Sequence, residues 1–201
     1  NLEFSLNFLL EKWTINTQLF STQISNAIKR EYGSLNGVDS MLYDGQMMRV
    51  QMNKNIESAT INGASFSASF KATKNFLMRS RLNYLIGKTN DNRPLAHIPP
   101  FNCKIAFNYK FKKHILDFYI NYNGWKLAKD YDDAGVDNLE EATIDGNPSW
   151  HTINLVYAKK IEANLSYSIA IKNILDAHYK TFGSGISASG RNFILSLRAH
   201  F

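Results

Sequence analysis

Apolar and polar residues alternate one for one through most of this chain, and residues 191–201 show it most plainly. Phe193, Leu195, Leu197, Ala199 and Phe201 fall on one parity; Ile194, Ser196, Arg198 and His200 fall on the other. In a strand these two sets point to opposite faces, so one face is apolar and the other mostly polar. The same period recurs from end to end, and no stretch repeats at the 3.6 residues of a helix. Strands are expected over residues 1–10, 13–29, 48–70, 75–87, 101–111, 114–125, 150–160, 164–174 and 191–201. Residues 101–111 are the cleanest, with Phe101, Cys103, Ile105, Phe107, Tyr109 and Phe111 opposite Asn102, Lys104, Ala106, Asn108 and Lys110. The polar stretch 30–47, with Gly33, Gly37 and Gly45, reads as a loop.

The connections between these segments also alternate. Turns of roughly two to four residues take turns with loops of roughly a dozen or more, as in outer-membrane barrels, where periplasmic turns are short and outer loops long. A soluble sandwich has no reason to keep that order. Aromatic residues gather near the strand ends, where amphipathic rings settle at membrane interfaces. Trp13, Phe111, Tyr157, Tyr167 and Phe201 lie near the short turns; Tyr84, Trp125 and Trp150 lie near the long loops. The expected fold is all-β: an antiparallel transmembrane β-barrel in the bacterial outer membrane, with residues 1–201 forming one barrel domain.

About nine strands are expected, whereas a single-chain bacterial barrel has an even number with both termini periplasmic. The final strand, with Phe201 as its terminal assembly signal, runs toward the periplasm, and counting back makes the first strand run the same way. The chain also begins at Asn1 inside an alternating run. It therefore reads as part of a larger barrel whose upstream strands lie outside it.

Mean hydropathy is −0.30, and no run approaches the roughly 18 apolar residues of a helical span. That excludes helices only, because window averages miss alternating strands. A single cysteine, Cys103, excludes an internal disulfide framework and a thiolate cluster. The net charge of +6 comes from scattered lysines and arginines with no basic helix or arm, which argues against a nucleic-acid partner.

Four loop and strand-end segments carry a family resemblance. Pro94-Leu95-Ala96-His97-Ile98-Pro99-Pro100 precedes a downward strand. Asp145-Gly146-Asn147-Pro148-Ser149-Trp150-His151-Thr152-Ile153-Asn154-Leu155 opens another. Lys172-Asn173-Ile174-Leu175-Asp176-Ala177-His178-Tyr179 follows the penultimate strand, and residues 182–193 lead into the last. In order and spacing they resemble the carboxy-terminal part of the barrel of TonB-dependent outer-membrane receptors, particularly those of Bacteroidetes-type bacteria. The resemblance covers essentially the whole chain. It implies a barrel of about 22 strands with a plugged lumen, and import of a scarce nutrient driven through TonB. The ending differs from that of glycan importers in this family, which favours a metal chelate, a siderophore or haem. The chain departs from the family in lacking the plug and the TonB-contacting segment. Its implied partners are outer-membrane lipid, the remaining strands and plug of the same polypeptide, TonB through that plug, and the chelate. No cofactor is implied.

Candidate functional residues follow from parity. Arg79, Arg81, Asn83, Lys104, Asn108, Asp117, Asn121, Lys172 and Arg198 share the wet face of their strands, where they would pair with plug carboxylates, guide an anionic ligand, or simply solvate the lumen wall. Tyr131, Tyr179 and Phe182 in the outer loops are candidates for closing over a ligand. No metal site is expected, although residues 130–141 echo a calcium loop through Asp130, Asp132 and Glu141; Ala134 occupies a ligand position there. His97, His114, His151, His178 and His200 are dispersed without ligand spacing. Two alternatives to transport remain open. One is a scaffold strand set within a larger outer-membrane assembly. The other is a small outer-membrane hydrolase using Asp117, although an enzyme is not expected.

Overall fold

A computed structural model describes residues 1–200; Phe201, and with it the proposed terminal signal, lies outside the described residues. The strands are β1 (Leu2–Leu9), β2 (Trp13–Tyr32), β3 (Ser40–Tyr43), β4 (Gln46–Arg49), β5 (Gln51–Lys71), β6 (Phe76–Thr89), β7 (Asn102–Phe111), β8 (His114–Asn123), β9 (Lys126–Leu127), β10 (Gly146–Asn147), β11 (Trp150–Lys160), β12 (Leu165–Lys172) and β13 (Asn192–Ala199). Nine form one antiparallel sheet in the order β1-β2-β5-β6-β7-β8-β11-β12-β13. Each is paired with its neighbours along the chain, as a meander. β3 with β4, and β9 with β10, make two small ladders in the long connections.

All nine expected strands are present, and short turns alternate with long connections throughout. The turn at Lys112-Lys113 joins Phe111 to its partner His114 in two residues, with Lys112 at φ +51°. Register places the apolar parities side by side: Phe76 faces Tyr109, which faces Leu116, which faces Tyr157, which faces Ile169, which faces Leu195. A one-residue slip in any pair would move a whole apolar row to the other face, so the pattern itself pins the register.

The expected loop 30–47 is a correction. β2 continues to Tyr32, and β5 starts at Gln51 opposite it. From Ser25 and Ser58 outward the two strands pair only with each other, forming an arm of roughly 20 Å at about 3.3 Å per residue. The β3–β4 hairpin caps it through Asp44-Gly45, both at positive φ (+48° and +77°), the turn whose twist suits a two-residue hairpin. Polar composition hid these strands because an arm standing in water has no buried face to impose alternation.

The sheet has no ordinary core. Among the described residues no large side chain is fully buried, while Phe4, Phe66, Tyr84, Ile105, Leu116, Ile169 and Leu195 are all exposed on the apolar face. A single-layer sheet with so broad an apolar surface is stable only against an apolar solvent or partner, and period-2 strands of this kind meet lipid in membrane barrels.

Candidate functional site

The polar face is built by the same register that orders the apolar one. Arg81 opposes Lys104, which opposes Asn121, which opposes Thr152. One residue pair along, Arg79 opposes Ala106, which opposes Tyr119. Asn108 opposes Asp117 and donates its amide to that carboxylate. Asn83 donates to Asn102 at 2.9 Å, and Asn121 to Thr152 at 3.3 Å. Lys172 Nζ donates to the Tyr119 hydroxyl, and Lys104 and Lys172 both sit over the Tyr119 ring, 4.3 and 4.6 Å from its centroid. Both cations draw on the π-system of one ring, which favours their positive charge there.

Eight of the nine candidate lumen residues thus fall in neighbouring rows of one wall. Arg198, opposite Ser166 at the far edge, stands apart. Arg79, Arg81 and Lys104 line a recess of about 490 Å³ with Asp117 as its only carboxylate, floored by Ser67, Ser69 and Tyr119. None of the three cations makes an ion pair among the described residues. This is a wet, cationic wall able to hold an anionic group. The side-chain hydrogen bond that Asp117 accepts comes from the Asn108 amide, and no histidine lines the recess.

The long connections pack into a layer over one end of the sheet. Pro94–Pro100 is held by the loop after β8: the Asp137 carboxylate accepts the His97 backbone N–H at 3.0 Å and His97 Nδ1 at 3.1 Å. His97 sits at φ +63°, so the hydrogen bonds offset a strained backbone. Asp137 is 2% exposed, and burial pushes its carboxyl above the ordinary value of 3.8, partly countered by the His97 N–H. Lys126 is buried as well, donating to the Ile98 carbonyl at 2.7 Å. Burial holds its ammonium below the usual lysine value, with Asp137, Asp130 and Asp132 acting in the opposite direction. Gly146, at φ +105°, lets β10 approach the Lys126 carbonyl where any side chain would collide.

Arg93 ties three segments together. Its guanidinium meets Glu31 of the arm at 2.7 Å, Asp91 at 2.5 Å and Asp133 of the loop after β8 at 3.3 Å. Glu31 and Asp91 raise its pKa further, and hydrogen bonds from Thr89 and Arg93 hold Asp91 below 3.8. The arm also leans on its neighbours through Asn90 to Glu57 at 2.9 Å and Gln51 to the Ala134 carbonyl at 2.7 Å.

The outer-loop aromatics divide. Tyr131 is only 4% exposed and packs edge-on against Phe182, ring centroids 5.6 Å apart, with Lys126 beneath both rings. Tyr179 stacks on Trp150 at 4.1 Å beside a recess of about 240 Å³. Trp150 opposes Asn123 on the polar face, which corrects its expected place in a membrane-facing belt. His114 keeps the apolar parity, hydrogen-bonded to the Tyr157 hydroxyl at 2.7 Å.

The calcium-loop echo dissolves in three dimensions. Asp132 accepts the backbone amides of Ala134 and Val136 at 2.8 and 3.1 Å, while Glu141 pairs with Lys180 at 2.9 Å. Asp130 ends a short 3-10 turn, Ala128–Asp130. Among the described residues no three His, Cys, Asp or Glu side chains are placed to hold a metal.

Sequence reasoning passed over Arg93, Asp137, Lys126 and Glu31. Each sits in a polar loop without periodicity, and only pairing across loops distinguishes it from a solvated charge.

No protein-family model and no curated protein matches the sequence. Solved structures do match. A copper transporter, OprC, superposes with a TM-score of 0.81 at 18% identity, over 99% of this chain and 31% of its own. The siderophore receptor PirA from Acinetobacter baumannii gives 0.73 at 15%, over 99% and 31%. The FrpB iron transporter from Neisseria meningitidis gives 0.72 at 12%, over 98% and 30%. The chain spans about a third of the length of each of these structures. Such identities speak for fold, and the chain has the fold of a section of a TonB-dependent receptor barrel.

Proposed function

We propose that this chain is part of an outer-membrane TonB-dependent receptor, a single barrel domain from its carboxy-terminal portion, that imports a scarce nutrient as a metal chelate such as a siderophore or haem. The observation that carries the reading is the match of nearly the whole chain to solved structures of copper and iron transporters and a siderophore receptor. The two-faced sheet supports it: one face suits lipid, and the other is a wet wall with Arg79, Arg81 and Lys104 around a single carboxylate. In this reading Arg79, Arg81, Asn83, Lys104, Asn108, Asp117, Asn121, Lys172 and Arg198 face the lumen. The first three cations then meet the anionic groups of a plug or of a passing chelate, since unpaired positive charge on a lumen wall attracts both. Tyr179 and Trp150 form the rim.

Uptake of radiolabelled ferric chelates by cells carrying or lacking the full-length gene tests this. Uptake that depends on the gene and is abolished by collapsing the inner-membrane proton gradient is the expected result. Equal accumulation in both strains for every chelate tried would overturn it. An Arg79→Glu/Arg81→Glu double variant that still reaches the outer membrane is expected to lower uptake.

A further inference from the structure

The hairpin on the arm has a composition unlike the rest of the chain. Four of the five methionines, Met41, Met47, Met48 and Met52, lie within residues 41–52, and none of the thirteen phenylalanines lies between residues 21 and 65. The apolar content of this segment is therefore weighted to thioethers and not to the rings that build a protein-docking anchor. Register sharpens this: Met41 on β3 and Met48 on β4 are direct cross-strand partners, so both side chains leave the same face of the ladder. Directly opposed residues stand about 4.5–5.5 Å apart at Cβ, within reach of two flexible methionine side chains converging on one point. Met41 is 43% and Met48 51% exposed, so both side chains are open to an ion from solvent. The arm holds the hairpin beyond the sheet and is fastened from the side by Arg93 to Glu31 and by Gln51 to the Ala134 carbonyl.

We propose that the Met41–Met48 pair is a capture site for a soft monovalent metal ion, Cu(I), its two thioethers leaving one face of the hairpin while the neighbouring Met47 leaves the other. Neutral thioether sulfur is a poor ligand for hard or borderline ions and a good one for Cu(I). Residues 39–52 contain no histidine or cysteine, and two thioethers are not the nitrogen and oxygen donors that Zn(II), Cu(II) or Fe(III) prefer. It differs from the lumen wall in place and in chemistry, and it stands on the hairpin alone, so its failure would leave the import reading untouched.

The test uses the intact protein in detergent under anaerobic conditions, titrated with Cu(I) against a chromogenic Cu(I) chelator, with Ag(I) as a redox-inert probe. Methionine methyl resonances report which side chains bind. Binding of Ag(I) should shift the Met41 and Met48 methyl signals, while Zn(II) should not compete. A Met41→Leu/Met48→Leu variant, close in volume and still able to form the hairpin, should lose Cu(I) affinity by about tenfold or more. Each single Leu variant should show part of that loss. Unchanged affinity in the double variant, or no Ag(I)-dependent shift at these two methyls in the wild type, would overturn the proposal.

Discussion

Two buried charges, Asp137 and Lys126, order the outer loops residue by residue. Asp137 accepts two hydrogen bonds from His97, and Lys126 caps the Ile98 carbonyl next to it. Replacing Asp137 with Ala takes the acceptor from the His97 N–H and removes the carboxylate that acts most strongly on Lys126. The expected cost is about 1–3 kcal/mol in local stability, seen as faster amide exchange at residues 94–100 with the strands unchanged. Acidity acts on the two carboxylates in opposite senses. Asp137 is raised by burial, so its contribution to stability is greatest below the ordinary value of 3.8 and declines as the pH rises through its own higher value. Asp91 is lowered by Thr89 and Arg93, so its contribution is complete above 3.8 and is lost only as the pH falls through its lower value. Amide exchange at residues 89–93 is therefore expected to stay slow down to about pH 4 and to quicken in stronger acid; loosening that begins near neutral pH would contradict it.

Among the elements, the arm combines its own ladder with contacts from neighbouring loops. Arg93 joins it to two other segments, yet its pairs are partly exposed, so solvent screening keeps their worth in total stability small. Arg93→Ala is expected to leave the thermal transition of the barrel where it is, while amides of residues 25–32 and 51–58 exchange faster. Equal protection in both proteins would show that the arm stands by itself. The turn after β12 adds side-chain clasps to its backbone hydrogen bonds. Asn173 exchanges hydrogen bonds with Ala177, and Asp176 accepts the Arg191 N–H at 2.6 Å, pinning both ends of the loop into β13. Both residues sit at positive φ, +49° and +56°, where Asn and Asp are the least strained of the residues with side chains. The Asn-Ile-Leu-Asp pattern was readable as a family signature; its meaning as a double clasp was not.

Across the whole molecule, the decisive property is that adjacent residues meet different solvents. Ile120 lies on the apolar face between Ile105 and Ile153, and Asn121 on the polar face beside Lys104. Ile120→Lys is expected to cost about 2–4 kcal/mol when the full-length barrel folds into lipid vesicles. Asn121→Asp, one residue along and facing Lys104, should stay within about 0.5 kcal/mol. Similar costs at both positions would remove the basis for a lipid face. The strand set and the side of each wall residue could be read directly from the chain, because a half-buried strand repeats its burial every second residue. The arm, the Arg93 hub and the Asp137 clasp could not, since contacts between loops distant in sequence leave no period behind.

What the chain determined by itself was therefore the two-faced meander: alternation set the strands, the apolar rows set their register, and short turns alternating with long loops set their order. The tertiary structure decided which polar groups meet. It gathered Arg79, Arg81 and Lys104 into one recess, parted Asp132 and Glu141 from any shared metal, turned Trp150 inward onto Tyr179, and set Met41 opposite Met48 on an arm clear of the sheet. The division is physical. Burial is periodic along a strand and so is written locally, whereas the pairing of charges and soft ligands depends on which distant segments the folded sheet brings together.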